Sequence, residues 1–228
     1  MLKNLVTTHL SSSVMIATPG TPSFIFLCSG FICSNKGYIL TCAHALDLTK
    51  EIYIATPPDP NSFPHLQGLK FHFVKATIAQ FDPLNDVALL KVEESNFKIT
   101  GPKPSIAFGD EREAAIGTTV GYFGFPFAAR GLILLKSSQS IVSAKVTNER
   151  NARSLVLDSA VNDGNSGGPL IDATTNKVIG IISGRYSPSG TQPVALIGGI
   201  ALGQDSNISF ATGISYGIDL MKAEGIYE

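Results

Sequence analysis

Three residues of this chain have the types and surroundings that acyl transfer by an activated hydroxyl requires: Ser166, His44 and Asp86. Ser166 lies within Asn162-Asp163-Gly164-Asn165-Ser166-Gly167-Gly168-Pro169-Leu170. A serine hydroxyl is a weak nucleophile until a neighbouring base takes its proton. It also needs backbone N–H groups aimed at the oxyanion that develops after attack. Glycines on both sides of the serine allow the tight turn and close backbone approach that this demands. A bare Gly-x-Ser-x-Gly reads better as an ordinary glycine-rich turn. The longer string, ending in Gly-Gly-Pro-Leu, favours a nucleophile.

The same five residues, Gly164 to Gly168, also fit the nucleophile elbow of α/β-hydrolases, where acid and histidine follow the serine. The four histidines here are His9, His44, His65 and His72, and all precede Ser166. Chain order therefore excludes a histidine-based elbow enzyme. His44 directly follows the apolar run Tyr38-Ile39-Leu40-Thr41-Cys42-Ala43. A base at a strand end on a short turn can be held in one orientation. His9 lies near the start of the chain, His65 follows a proline, and His72 falls on the polar phase of a strand. All three read as surface residues.

The acid must hydrogen-bond the other ring nitrogen of His44 and fix its tautomer. No acidic residue precedes His44, which excludes a subtilisin-type order. Asp86 heads the apolar strand Val87-Ala88-Leu89-Leu90-Lys91-Val92. An acid at the mouth of a buried strand is costly without a partner, which suits a histidine orienter. Asp82, just before Pro83, competes and reads as a turn residue. The order is base, acid, nucleophile.

These residues must be positioned by strands. Val14 to Ala17, Phe24 to Cys33, Tyr38 to Thr41, Glu51 to Ala55, Leu69 to Ala76 and Val87 to Val92 form one series of short β-rich segments. Residues near 94–106, with Gly101, Pro102 and Pro104, read as a connector. A second series follows: Thr118 to Phe125, Gly131 to Lys136, Ser140 to Val146, Ser154 to Leu157, Pro169 to Asp172, Val178 to Ser183, Ala195 to Ala201 and Ile208 to Ala211. Only Asp219 to Glu224 reads as helical. Two runs of short strands predict an all-β protein with two stacked barrels.

Composition agrees. The chain has 228 residues, a formal net charge of -1 and 15% charged residues. Its mean hydropathy is +0.21. A near-neutral charge gives no steering toward nucleic acid or an anionic membrane. No apolar run reaches the roughly 20 residues a membrane helix needs. The N-terminus shows no apolar core of a secretory leader, being interrupted by Thr7, Thr8, His9 and Ser11 to Ser13. Cys28, Cys33 and Cys42 are odd in number and clustered, so they read as buried thiols rather than a disulfide framework. A zinc site would need two more ligands beside them, so no metal or cofactor is expected. Absent leader and unpaired cysteines point to the cytoplasm or another reducing intracellular compartment.

Several stretches resemble the chymotrypsin-like (trypsin-like) serine peptidases, most closely the HtrA/Deg branch. They are Ser29-Gly30-Phe31-Ile32, Gly37-Tyr38-Ile39-Leu40-Thr41-x-Ala43-His44, Asp86 to Val92, Ser140-Ile141-Val142-Ser143-Ala144, Asp158 to Leu170, Val178-Ile179-Gly180-Ile181 and Ile208-Ser209-Phe210-Ala211. The resemblance implies two six-stranded antiparallel barrels (about 12–100 and 106–218 of one peptidase domain, 1–228) with the site in the cleft between them. It implies His44, Asp86 and Ser166 as a catalytic triad, and the N–H groups of Gly164 and Ser166 as the oxyanion hole. The implied substrate is a peptide or unfolded protein. Asn165 stands where the digestive branch has an aspartate that pairs with a newly cut N-terminus, so no zymogen activation of that kind is expected. The matches end about 14 residues before Glu228, so no PDZ domain is expected in the chain.

The resemblance also places a primary-pocket residue six positions before the serine, at Ala160. A neutral pocket disfavours Arg or Lys before the cut and favours small or aliphatic residues. Ser183-Gly184-Arg185 is similar to the strand that pairs with substrate backbone, and Ser209 is expected at the pocket wall. Arg185 would narrow the pocket mouth, contact acidic residues of the peptide, or point to solvent. Tyr186 to Asn207, uncharged until Asp205, reads as a hairpin of the second barrel, or as an exposed apolar surface for substrate or for self-association into a homo-oligomer. Two rival functions are a silent relative that only binds peptides and a cysteine hydrolase.

Overall fold

The computed structural model describes residues 2–21, 23–57, 63, 71–93, 106–148, 151–187 and 206–227, together with the strand backbones 195–197 and 200–202. An N-terminal helix α1 (Leu2–His9) precedes β1 (Ser13–Pro19), β2 (Phe24–Ser34), β3 (Tyr38–Thr41), β4 (Ile52–Ala55), β5 (Phe73–Asp82) and β6 (Val87–Val92). Then come β7 (Thr119–Gly124), β8 (Lys136–Thr147), β9 (Arg153–Asp158), β10 (Pro169–Asp172), β11 (Val178–Arg185), β12 (Ala195–Ile197), β13 (Ile200–Leu202) and β14 (Ile208–Gly213). Helix α2 (Ile214–Ala223) closes the chain.

The strands close into two six-stranded antiparallel barrels, ordered β1-β2-β3-β6-β5-β4 and β7-β8-β9-β14-β11-β10. This is the chymotrypsin-like fold. In each barrel the third strand pairs with the last, and the chain folds the same way twice. Alternation along the strands explains the continuous apolar runs. In β3, Ile39 enters the first barrel's core while Leu40 faces the seam between barrels; in β6, Leu90 and Leu89 divide likewise. Val120, Val142, Leu155, Leu157 and Ile179 fill the second barrel. Phe31, Phe123, Ile181 and Ile214 join Leu40 and Leu89 in the seam. A strand buried on both faces has no polar phase to show.

Several expectations need correction. Residues 2–9 are helical: Leu5 is buried, and Leu2 and Leu5 lie against Gly121 of β7. His9 is not a surface residue but 0% exposed, with Nε2 3.0 Å from the Asn176 carbonyl. Burial, only partly offset by that hydrogen bond, lowers its pKa below 6.5. Of the segment expected from Leu69, residues 69–70 lie outside the described residues, and the strand begins at Phe73 and runs on to Asp82. His72 is exposed just ahead of it, and His65 lies outside the described residues. Gly131 to Lys136 is mostly turn and coil, because the strand there starts only at Lys136. The late hairpin β12–β13 forms its own two-stranded sheet instead of joining the second barrel. Helix α2 starts five residues ahead of its expected first turn, at Ile214.

That early start has a tertiary cause. Glu111, whose side chain is 3% exposed, accepts the Ser215 backbone N–H at 3.2 Å and the Ser215 hydroxyl at 2.7 Å. Arg153 Nε donates to the same carboxylate at 2.8 Å. A carboxylate thus caps the first turn of α2 from a distant loop, supplying an acceptor for an otherwise orphaned N–H.

Candidate active site

Base and acid come from neighbouring strands. Thr41 of β3 sits opposite Ala88 of β6. Residues just past β3 and just ahead of β6 therefore meet at one end of the barrel, although 42 positions separate His44 from Asp86. Asp86 has a left-handed backbone, φ 58°, a conformation aspartate tolerates far better than a β-branched residue. Asp86 Oδ1 accepts the His44 backbone N–H at 2.8 Å, and both carboxylate oxygens lie 2.9 Å from His44 Nδ1. Ser183 Oγ donates to Asp86 Oδ2 at 2.7 Å. Ser183 comes from β11, whose pairing with β14 slips between Ile182 and Gly184. A bulge of this kind re-aims a side chain, here onto the acid of the other barrel. Asp82 instead accepts the Leu84 and Asn85 N–H groups as a turn residue.

The pair is electrostatically matched. Burial opposes ionisation of Asp86, but the hydrogen bonds and charge of His44, with the Ser183 hydroxyl, outweigh it and hold the carboxyl below its ordinary value. The Asp86 hydrogen bond raises the His44 imidazole to about 10, with Cys42 adding and burial opposing. His44 Nε2 lies 3.9 Å from Cys42 Sγ. Among the described residues no hydrogen bond joins it to Ser166 Oγ. Such contacts are commonly loose without substrate and tighten in the reacting complex. The Cys42 thiol, hydrogen-bonded to Cys28 and buried, is pushed well above its ordinary value. It stays protonated and offers no thiolate nucleophile. All three cysteines are free and buried.

Ser166 sits on the turn between β9 and β10, and its neighbouring peptide planes have defined directions. The Asp163 carbonyl accepts the Phe127 N–H at 2.8 Å, and the Asn165 carbonyl accepts the Gly168 N–H at 3.0 Å. In a trans peptide the N–H points opposite to its C=O. The N–H groups of Gly164 and Ser166 therefore each point away from the anchor of their own peptide. Gly164 (φ 96°) and Gly167 (φ 86°) have backbones that disfavour any side chain. A Cβ at Gly164 would strike the Phe125 carbonyl; one at Gly167 would strike the Ser29 carbonyl and the Thr41 hydroxyl. Asn165 is 2% exposed, with its Oδ1 against Gly124.

The residues expected to bind substrate line one region. Ser183, Gly184 and Arg185 end β11, half-buried, and a Cβ at Gly184 would meet nothing within 4 Å. Arg185 lies opposite Ser209 of β14. Ser209 is fully buried. Its hydroxyl donates to the Ser159 carbonyl at 2.6 Å and accepts the Val161 N–H at 3.0 Å. It therefore fixes the backbone on both sides of half-buried Ala160 rather than offering a polar group to a ligand. Among the described residues, no group of three or more His, Cys, Asp or Glu could hold a metal ion.

A serine, a histidine–aspartate pair and two directed N–H groups at the junction of two barrels define the hydrolase class of the chymotrypsin-like fold. The chain belongs to the family of trypsin-like peptidase domains, whose model matches residues 28–181. A probable periplasmic serine endoprotease, DegP-like, of Pseudomonas putida (strain W619) is 32% identical over 165 residues, 71% of this chain and 30% of that protein. A DegP-like counterpart in Rickettsia prowazekii (strain Madrid E) is 31% identical over 177 residues, 75% of this chain and 30% of that protein. The matched stretch is thus under a third of these relatives' length. The HtrA-type protease AlgW, solved with a tripeptide, superposes with a TM-score of 0.71 at 23% identity. That superposition covers 98% of this chain and 63% of AlgW. A serine endoprotease from Yersinia pestis gives 0.68 at 24%, covering 98% and 66%.

These relatives correct the expected compartment. They are named as periplasmic, against a cytoplasmic or other reducing location. The cysteines misled for a physical reason: a thiol sealed in a barrel core packs as a small apolar side chain, whatever the redox state outside. Among the described residues, no helix is long and apolar enough to cross a membrane.

Proposed function

We propose that the chain is a serine endopeptidase of the HtrA/DegP kind, cutting peptide or unfolded protein substrates through an acyl-enzyme. The working unit is residues 1–228, with barrels at about 12–100 and 106–218. His44 takes the Ser166 proton and returns it to the leaving amine, Asp86 fixes the imidazole tautomer, and Ser166 Oγ attacks the carbonyl. The N–H groups of Gly164 and Ser166 receive the oxyanion. The observation that carries this reading is the His44–Asp86 contact at 2.9 Å beside a nucleophile turn whose two N–H groups point away from their anchors.

Substrate backbone adds along Ser183-Gly184-Arg185, and Ala160 with the segment pinned by Ser209 leaves a neutral pocket. That supports cleavage after small or aliphatic residues, with Arg185 at the pocket mouth. Asn165 is neutral and buried, which supports a site that forms without pairing to a cut N-terminus. The relatives' names point to the periplasm. The test is digestion of casein and of a peptide library by the wild-type chain and Ser166→Ala. Cleavage after Ala, Val or Ile that vanishes in the variant is the expected result. Cleavage after Arg or Lys would overturn the pocket assignment, and cleavage that survives the substitution would overturn the nucleophile.

A further inference from the structure

One polar side chain that bridges the site's two barrels is one that the reaction itself does not touch. Ser29, on β2 of the first barrel, is 0% exposed. Its hydroxyl donates to the Gly164 carbonyl at 2.6 Å and accepts the Phe125 backbone N–H at 3.0 Å. Its backbone N–H donates to the Ser166 carbonyl at 2.9 Å, and its carbonyl accepts the Thr41 hydroxyl at 2.7 Å. One residue of the first barrel thus holds two carbonyls of the second barrel's nucleophile turn.

The consequences follow from the peptide planes. The Gly164 N–H direction depends on the 163–164 peptide, whose carbonyl is held by Phe127 N–H. Phe127 belongs to the turn that begins at Phe125, and Phe125 N–H ends on the Ser29 hydroxyl. The same hydroxyl anchors the carbonyl on the other side of Gly164. Ser29 therefore ties together the two segments between which the 163–164 plane is set. Its backbone bond to Ser166 fixes the far end of the turn. Removing the hydroxyl leaves a buried N–H and a half-buried C=O without their partner, and each then costs desolvation that the bond had offset. A glycine at φ 96° has no side chain to resist rotation of its peptide planes, so relief of that cost comes from turning the plane.

We propose that Ser29 is a positioning residue that sets the oxyanion hole across the inter-barrel seam, through its hydroxyl. This rests on the serine-peptidase reading above. It predicts a loss confined to the transition state, because only there does the oxyanion need both N–H groups.

The experiment compares wild type, Ser29→Ala, Ser29→Cys, and Ser12→Ala. The last deletes another buried serine hydroxyl, bonded at 2.6 Å to the His9 carbonyl before β1. Two quantities are read on each folded variant: steady-state kinetics on a peptide substrate, with affinity for a peptide aldehyde that places an oxyanion in the hole, and amide hydrogen exchange at Phe125, Phe127 and Asn165. Loss of one oxyanion donor costs about 10²–10³ in kcat. Ser29→Ala is expected to lose roughly 10–100-fold in kcat, with aldehyde affinity falling in parallel, KM within about 2-fold, and the three amides exchanging at least about 10-fold faster. Ser29→Cys, which keeps the shape with a weaker donor, is expected to fall between, and it carries the test if the alanine variant does not fold. Ser12→Ala is expected to keep wild-type kcat. Wild-type kcat in either Ser29 variant, or exchange there no faster than in Ser12→Ala, overturns the proposal. An inactive wild type would overturn the peptidase reading instead, and the exchange data would still decide whether Ser29 holds the turn.

Discussion

The two barrels share one strand order and use it to different ends. In each, the chain leaves the third strand through a loop that enters the cleft. After β3 that loop carries His44, three residues beyond Thr41. After β9 it carries Ser166, eight residues beyond Asp158. The short loop is held by its own barrel, because Asp86 at the head of β6 grips both the backbone and the ring of His44. The longer loop is held by its own barrel, where Phe127 and Ile182 bond to it, and also from outside, where Ser29 of the first barrel takes two of its carbonyls. The acid–base half is therefore nearly self-contained, while the nucleophile half draws on both barrels. In return, Ser183 of the second barrel donates to Asp86.

That asymmetry can be broken from either side. Asp86→Asn strikes the self-contained half. It keeps the shape but loses the charge that stabilises the imidazolium and leaves the ring in the wrong tautomer, and the expected fall in kcat is about 10⁴. Steady-state kinetics on a peptide substrate would measure it. Unchanged rates would mean Asp86 does not orient the base.

Glu111→Ala strikes the second barrel away from the site. It removes the carboxylate that Arg153 and the first turn of α2 share, an expected loss of about 2 kcal/mol from the lost cap and hydrogen bonds, read by urea unfolding. Ser183→Ala removes one hydrogen bond to a carboxylate. An expected loss of about 10-fold in kcat/KM corresponds to about 1.4 kcal/mol, near the low end for a bond to a charged group. A loss as large as that of Asp86→Asn would show the first half is not self-contained.

The pH dependence sharpens the same contrast. A general base must be neutral, and Asp86 holds the His44 pKa at about 10. kcat/KM should climb from neutral into the alkaline range, and in Asp86→Asn that limb should move to lower pH. For stability the signs differ. His44 is raised, so the pair's contribution is full below 6.5 and is lost as pH rises through about 10. Asp86 is lowered, so its contribution is present above 3.8 and is lost as pH falls through its depressed value. His9 is lowered by burial, so stability also falls as pH drops below 6.5. In His9→Gln that acid limb should flatten, the smallest effect of the set, read by thermal unfolding against pH.

The self-contained half was also the legible half. Tyr38 to His44 and Asp86 to Val92 carry their strands and their chemistry in consecutive residues, so pattern and motif agree. The nucleophile string was legible for the same reason, since glycines at positive φ leave a local signature. The contacts between halves were not. Ser29 read only as part of a family-like Ser29-Gly30-Phe31-Ile32 stretch; nothing local says that its hydroxyl meets residues 96 and 135 positions away. Ser183 is aimed by a bulge, and a bulge is a property of strand pairing. Glu111 caps a helix 104 positions further on. Helix α1 escaped because Thr7 and Thr8 read as interruptions. Their hydroxyls instead bond back to the Lys3 and Asn4 carbonyls, and tertiary packing of Leu5 secures the helix.

The most direct measurement of the central claim is reaction with a fluorophosphonate, followed by mass spectrometry of the digested adduct. A single phosphonyl group on Ser166, absent in both Ser166→Ala and Asp86→Asn over the same interval, is the expected result. A modified residue other than Ser166, or a folded wild-type chain that takes no label at alkaline pH, would contradict the account.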